Sequence, residues 1–82
     1  MSSPPSSRGQ RILDELTRYV LAHPRGADTL DGVVSWWLPP DLAQIALPSE
    51  VEHALQELIA RGLIEQRWLP SGQLLYAVRP AG

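Results

Sequence analysis

The chain has 82 residues, with nine carboxylates against seven basic side chains and no cysteine. That length holds one small domain, and the lack of thiols excludes disulfides and thiolate metal sites and fits a reducing compartment, so a cytoplasmic location is expected. No apolar run nears the roughly 20 residues that span a bilayer, and the opening MSSPPSS lacks the charge and apolar core of a targeting signal, so residues 1–7 are expected as a disordered tail and residues 8–80 as the domain.

The first helix is expected from about Ser7, which has capping-box spacing with Gln10. Ile12, Leu13, Leu16, Tyr19 and Val20 then recur with helical periodicity and form one apolar face. Pro24 and Gly26 close this helix near His23, whose ring is placed to meet the last free carbonyls. A second helix starts at Asp28 or Thr29, either of which is a capping residue. Its buried face is Leu30, Val33, Val34, Trp37 and Leu38, and Trp36 falls about 120° from the centre of that face at 100° per residue. Gly32 costs a helix about 1 kcal/mol relative to alanine, which points to a close approach on its outward side. Pro39 and Pro40 stop the helix.

Residues 41–47, DLAQIAL, have no clean period, although Asp41 is able to cap one short turn. A third helix opens at Pro48 and Ser49, where Ser49 and Glu52 have capping-box spacing. Val51, Ala54, Leu55, Leu58 and Ile59 form its apolar face, and Gly62 is its left-handed stop. LIEQRWL and QLLYAVRP then read as a β-hairpin around Pro70-Ser71-Gly72, a type I turn followed by a glycine at positive φ. Sequence alone leaves the register, and hence the face taken by Trp68, open.

Three helices followed by a hairpin give an α+β class. The segment ALQELIARGLIEQRWLPSGQLLYAV (Ala54–Val78) resembles the last helix and wing of winged helix-turn-helix proteins. The resemblance is carried by Leu55 and Leu58, the RGLI junction at Arg61–Ile64, the glycine-centred wing turn, and Tyr76 and Val78 in the returning strand. It implies a small three-helix winged-helix domain with a C-terminal hairpin wing, a fold that serves both DNA binding and protein assembly. In the DNA-binding members the last two helices are joined by a tight turn of about 3–4 residues, whereas Pro39 to Leu47 separates them here.

Charge discriminates between those two roles. Residues 26–60 hold six carboxylates and no arginine, while the segments before and after each carry a net +2. The outward residues of the third helix, Glu50, Glu52, His53, Gln56 and Glu57, bring three carboxylates toward any phosphate backbone, against the electrostatics that drive DNA affinity. A protein-interaction or adaptor module is therefore expected, docking a protein partner or a second copy through Trp36, Leu42, Ile45 and Leu47. The alternative is a small DNA-binding transcriptional regulator using Ser49, His53, Gln56 and Arg67, with Arg8 and Arg11 on the backbone. No cofactor, metal or small-molecule site is expected, because His23 and His53 are the only histidines and lack ligand spacing. No nucleophile has a base beside it and no phosphate-binding loop is present, so the chain is expected not to be an enzyme.

Overall fold

The computed structural model describes residues 7–80, with nothing stated of the Ser7 side chain. The tail expected over residues 1–7 lies, Ser7 apart, outside the described residues. Four helices and a three-stranded antiparallel sheet make up a small α+β domain, compatible with a winged helix.

Helix α1 spans Ser7–Ala22 and buries Ile12, Leu16 and Val20, with Leu13 and Tyr19 at its margin. Gln10 does not reach back as a cap; its Nε2 donates to Asp14 Oδ1 at 2.9 Å, one turn ahead. At the other end the His23 ring donates from Nδ1 to the Tyr19 carbonyl at 2.9 Å, which also accepts from the His23 N–H.

A short strand, β1 (Ala27–Asp28), follows, which no sequence pattern announces. Thr29 then caps α2 (Leu30–Gly32), its Oγ1 accepting from the Gly32 N–H at 3.4 Å. Gly32 lies at a close approach: a Cβ there would overlap the Asp28 carboxylate, which would have to turn aside. From Gly32 the chain runs unbroken into a π-helical turn, Val33–Trp37. Hydrogen bonding from i to i+5 widens the turn; Val33, Trp37 and Leu38 enter the core while Trp36 stays outside. Leu38, ahead of Pro39, is extended (φ −104°, ψ 146°) and ends the segment.

Residues 39–47 are not a loop. They hold α3 (Pro40–Ile45), with Pro40 in its first turn. Leu42 is fully buried, while Ile45 and Leu47 are half exposed. The expected three-helix count is therefore corrected to four. Only Ala46 and Leu47 separate α3 from α4 (Pro48–Ala60), so the final helix pair is joined by a tight turn after all.

Pro48 occupies the first helical position of α4, which makes Leu47 the cap and Glu50 the third residue. The expected Ser49–Glu52 box is thus displaced, and Glu50 Oε1 accepts from the Leu47 N–H at 2.9 Å. The far end of α4 closes in a Schellman motif. Gly62 has φ +75°, its N–H reaches the Ile59 carbonyl, and the Leu63 N–H reaches that of Leu58, at 2.9 and 3.0 Å.

Strands β2 (Ile64–Trp68) and β3 (Leu74–Val78) form the hairpin, and β1 pairs on the other side of β3, giving the order β1-β3-β2. Gly72, at φ +89°, donates to the Leu69 carbonyl and closes the turn as expected. Ile64 opposes Val78, Gln66 opposes Tyr76 and Trp68 opposes Leu74. Ile64, Tyr76 and Val78 are in the core with Val51, Leu55 and Leu58, so this is the face that the helices cover. Trp68 shares that face but lies 72% exposed on the edge strand β2, where Gln66 is also exposed, while Leu74 opposite packs against the core.

Candidate interaction surface

The four residues expected to meet a protein partner divide. Trp36 is 75% exposed, and Ile45 and Leu47 are about half exposed, but Leu42 is at 0% and belongs to the core. Leu42 and Ile45 both stand on α3, three residues and hence about 60° apart around the helix, with Leu42 inside the core and Ile45 at the exposed margin of the same face. The segment after the double proline does not cover Trp36. Trp68 and Leu21, at 72% and 71%, are the other large apolar side chains left to solvent. The face taken by Trp68 was open in the sequence, and no pattern there placed it outside; it is exposed on the edge strand, while Leu74 opposite it packs against the core.

Trp37, one residue along, is anchored by stacking. Its ring lies 4.8 Å from that of Tyr19 at 13°, and Tyr19 lies 3.9 Å from His23 at 15°. The three rings form a ladder running from the core to the surface at the end of α1. Among the described residues Trp37 Nε1 has no acceptor.

Of the residues expected for DNA, Ser49, His53 and Gln56 recur at i, i+4 and i+7 on one face of α4, and Arg67 lies apart from them. Ser49 and His53 face an open groove of about 520 Å³ between α1 and α4, shared with Leu13, Glu50, Glu57 and Arg61. Gln56 is exposed on α4. Arg67, in the register Arg67–Leu75, lies on the side of the sheet opposite the helices. Its guanidinium is already engaged, with Nη2 2.6 Å from Glu65 Oε1.

The arginines that would approach a phosphate backbone are mostly spent on the chain's own carboxylates. Arg8 Nε is 2.9 Å from Glu50, Arg11 Nη2 is 3.3 Å from Asp41, and Arg61 Nη2 is 3.2 Å from Glu57. The basic ends thus fold back on the acidic middle. Glu50 and Asp41 sit in the first turns of α4 and α3, where the helix dipole also favours a negative charge. The Leu47 N–H and then Arg8 hold the Glu50 carboxyl below its ordinary value, and Arg11 does the same for Asp41. Exposed pairs of this kind are weak, but together they cancel the local positive field.

A pH dependence follows from Glu50. A carboxyl whose folded pKa is depressed stabilises the fold above its unfolded value, and that contribution disappears as pH falls through the folded one. The stability difference between the parent and Glu50→Gln is therefore expected to be full at neutral pH and to shrink as pH falls below the ordinary glutamate value of 4.5. Urea midpoints across this range check it; a difference that stays constant would place the Glu50 contribution outside its charge.

Comparison with protein-family models, curated proteins and solved structures finds no match. The surface must therefore be read from its own chemistry. No three His, Asp or Glu side chains among the described residues gather as a metal site would require. No helix there is long and apolar enough to cross a membrane.

Proposed function

We propose that the chain is a winged-helix protein-interaction module of the cytoplasm, acting as an adaptor rather than an enzyme. It docks a protein partner through Trp36, with Ile45 and Leu47 as further exposed apolar contacts. The helices followed by a short-turned hairpin support the fold reading. The observation that carries the functional one is Trp36 itself. A tryptophan left 75% exposed, at a π turn whose neighbours Trp37 and Leu38 are buried, is a large apolar cost that an isolated domain has no need to carry. Tryptophan is enriched among the residues that dominate binding energy at interfaces, and π turns concentrate at functional sites.

A second reading, DNA binding through α4, draws on the two-residue connection between α3 and α4, which suits a helix-turn-helix. It is opposed by the carboxylates of α4 and by the separation of Arg67 from that helix. Two measurements decide between the readings. Trp36→Ala is expected to remove partners from a pull-down, or to abolish a dimer in sedimentation, while leaving the fold intact. Generic duplex DNA is expected to show no mobility shift at about 50 mM salt, where phosphate-driven binding is strong. A robust shift lost on Arg67→Ala would replace the adaptor reading with the regulator. An unchanged partner profile in Trp36→Ala would remove the docking role.

A further inference from the structure

The sheet carries a second surface, on the side turned away from the helices. A shallow groove of about 400 Å³ crosses it, walled by Pro24, Arg25, Arg67 and Pro80. Its floor is the cross-strand pair Ala27–Ala77, of which Ala27 is exposed and Ala77 buried. Glu65 opposes Ala77 in the other ladder, so Glu65, Arg67 and both alanines share this face. The ladder continues past Val78, where the Arg79 N–H donates to the Leu63 carbonyl at 2.9 Å, and the alternation puts Arg79 on the side of Ala77. Arg25 and Arg67 thus line the groove and Arg79 stands on the same face beside it, against the single carboxylate of Glu65, in a chain whose net charge is −2.

Arg25 and Arg79 are, among the described residues, the arginines that form no ion pair with a carboxylate. Elsewhere the protein matches each arginine to its own acids; here it leaves two unmatched beside an apolar floor. Strands β1 and β2 flank β3, which spreads the basic groups over about 10 Å across the sheet.

We propose that this groove binds an acidic peptide segment of a protein partner, as a second docking face independent of Trp36. Its guanidinium groups take carboxylates, which planar forked donors do well. Ala27 and the two prolines accept an extended main chain and its methylene groups lying flat. Charge complementarity selects an acidic partner. The apolar floor favours a peptide over a nucleic-acid backbone, which would set phosphates against it.

The test is fluorescence polarisation of the full chain against a labelled oligo-glutamate peptide at low salt. Binding is expected, weakening as salt rises, and Arg25→Gln with Arg79→Gln is expected to weaken it by at least about tenfold, the loss of charged hydrogen bonds. Ala27→Leu fills the exposed floor while keeping every charge, and is expected to weaken binding comparably. Trp36→Ala is expected to leave it unchanged, which separates this groove from the surface proposed above. No binding of the peptide, or binding indifferent to both groove variants, overturns the proposal. So does equal or tighter binding of a single-stranded oligothymidylate of the same charge, which assigns the face to nucleic acid. Self-association in sedimentation that the groove variants abolish would give it instead to the acidic surface of a second copy.

Discussion

Trp37→Ala should cost about 3–5 kcal/mol, the range for truncating a buried tryptophan, and leave much of the chain unfolded at room temperature. The whole stability of a domain this size sits at the low end of about 5–15 kcal/mol. Trp37 is 3% exposed, stacks on Tyr19 and touches the core that α1 and the sheet share. Removing it empties the junction between the π turn and α1, and Tyr19 loses one of the two rings that fix it. Trp37→Phe should cost clearly less. It keeps most of the apolar surface and removes an indole N–H that has no acceptor among the described residues, a group whose burial unpaired costs about 1–3 kcal/mol. Trp36→Ala, one position away, should change stability by no more than about 0.5 kcal/mol, as exposed substitutions do. Urea denaturation followed by far-ultraviolet circular dichroism, which does not depend on tryptophan emission, measures all three. Similar losses for Trp36→Ala and Trp37→Ala would contradict the division between a structural and a displayed tryptophan, and with it the docking surface.

That division was legible from spacing, because α-helical and π-helical turns both carry Trp37 inward with Val33 and leave Trp36 out. The capping glycine at Gly62, the hairpin turn at Gly72 and the buried face of α4 were equally legible, each resting on a local backbone requirement or a full helical period. What the sequence hid has a different physical character. Strand β1 is two residues long and exists only because β3 offers it an edge, with the Val78 N–H reaching the Gly26 carbonyl at 2.8 Å. No two-residue period is visible in a chain. Helix α3 is one and a half turns, too short for periodicity to stand out, and its stability comes from Leu42 rather than from propensity. The charge pattern was read as a property shown to partners. Much of it is internal, since Arg8, Arg11 and Arg61 from the basic ends close on Glu50, Asp41 and Glu57 from the acidic middle. Pairing across 42 residues, as between Arg8 and Glu50, is invisible to any local window. The same accounting brought out the sheet face with Arg25 and Arg79, which stands apart only once the other arginines have been assigned.

Leu42 and Ile45 provide the sharpest test of how α3 is seated. Leu42→Ala should destabilise by about 2–5 kcal/mol, from lost transfer energy plus the cavity left where the side chain was fully buried. Helix α3 packs on the π turn, and Leu42 belongs to the same core cluster as the buried residues of α1, that turn and α4. Ile45→Ala should fall within about 0.5 kcal/mol, because half of that side chain already contacts solvent and it stands outside the core cluster. A loop reading of residues 39–47 predicts the reverse ranking or none, since an unstructured segment has no reason to distinguish two apolar residues three apart. The pair also bears on the function. Should Ile45→Ala weaken partner binding while keeping the parent's urea midpoint, then α3 has two separate duties. Leu42 locks the helix onto the core, and the helix so fixed presents Ile45 and, through the two-residue connection, Leu47 in constant positions. A docking surface built on a locked helix loses little conformational entropy when a partner binds, which is what an exposed aromatic anchor such as Trp36 needs beside it to be effective.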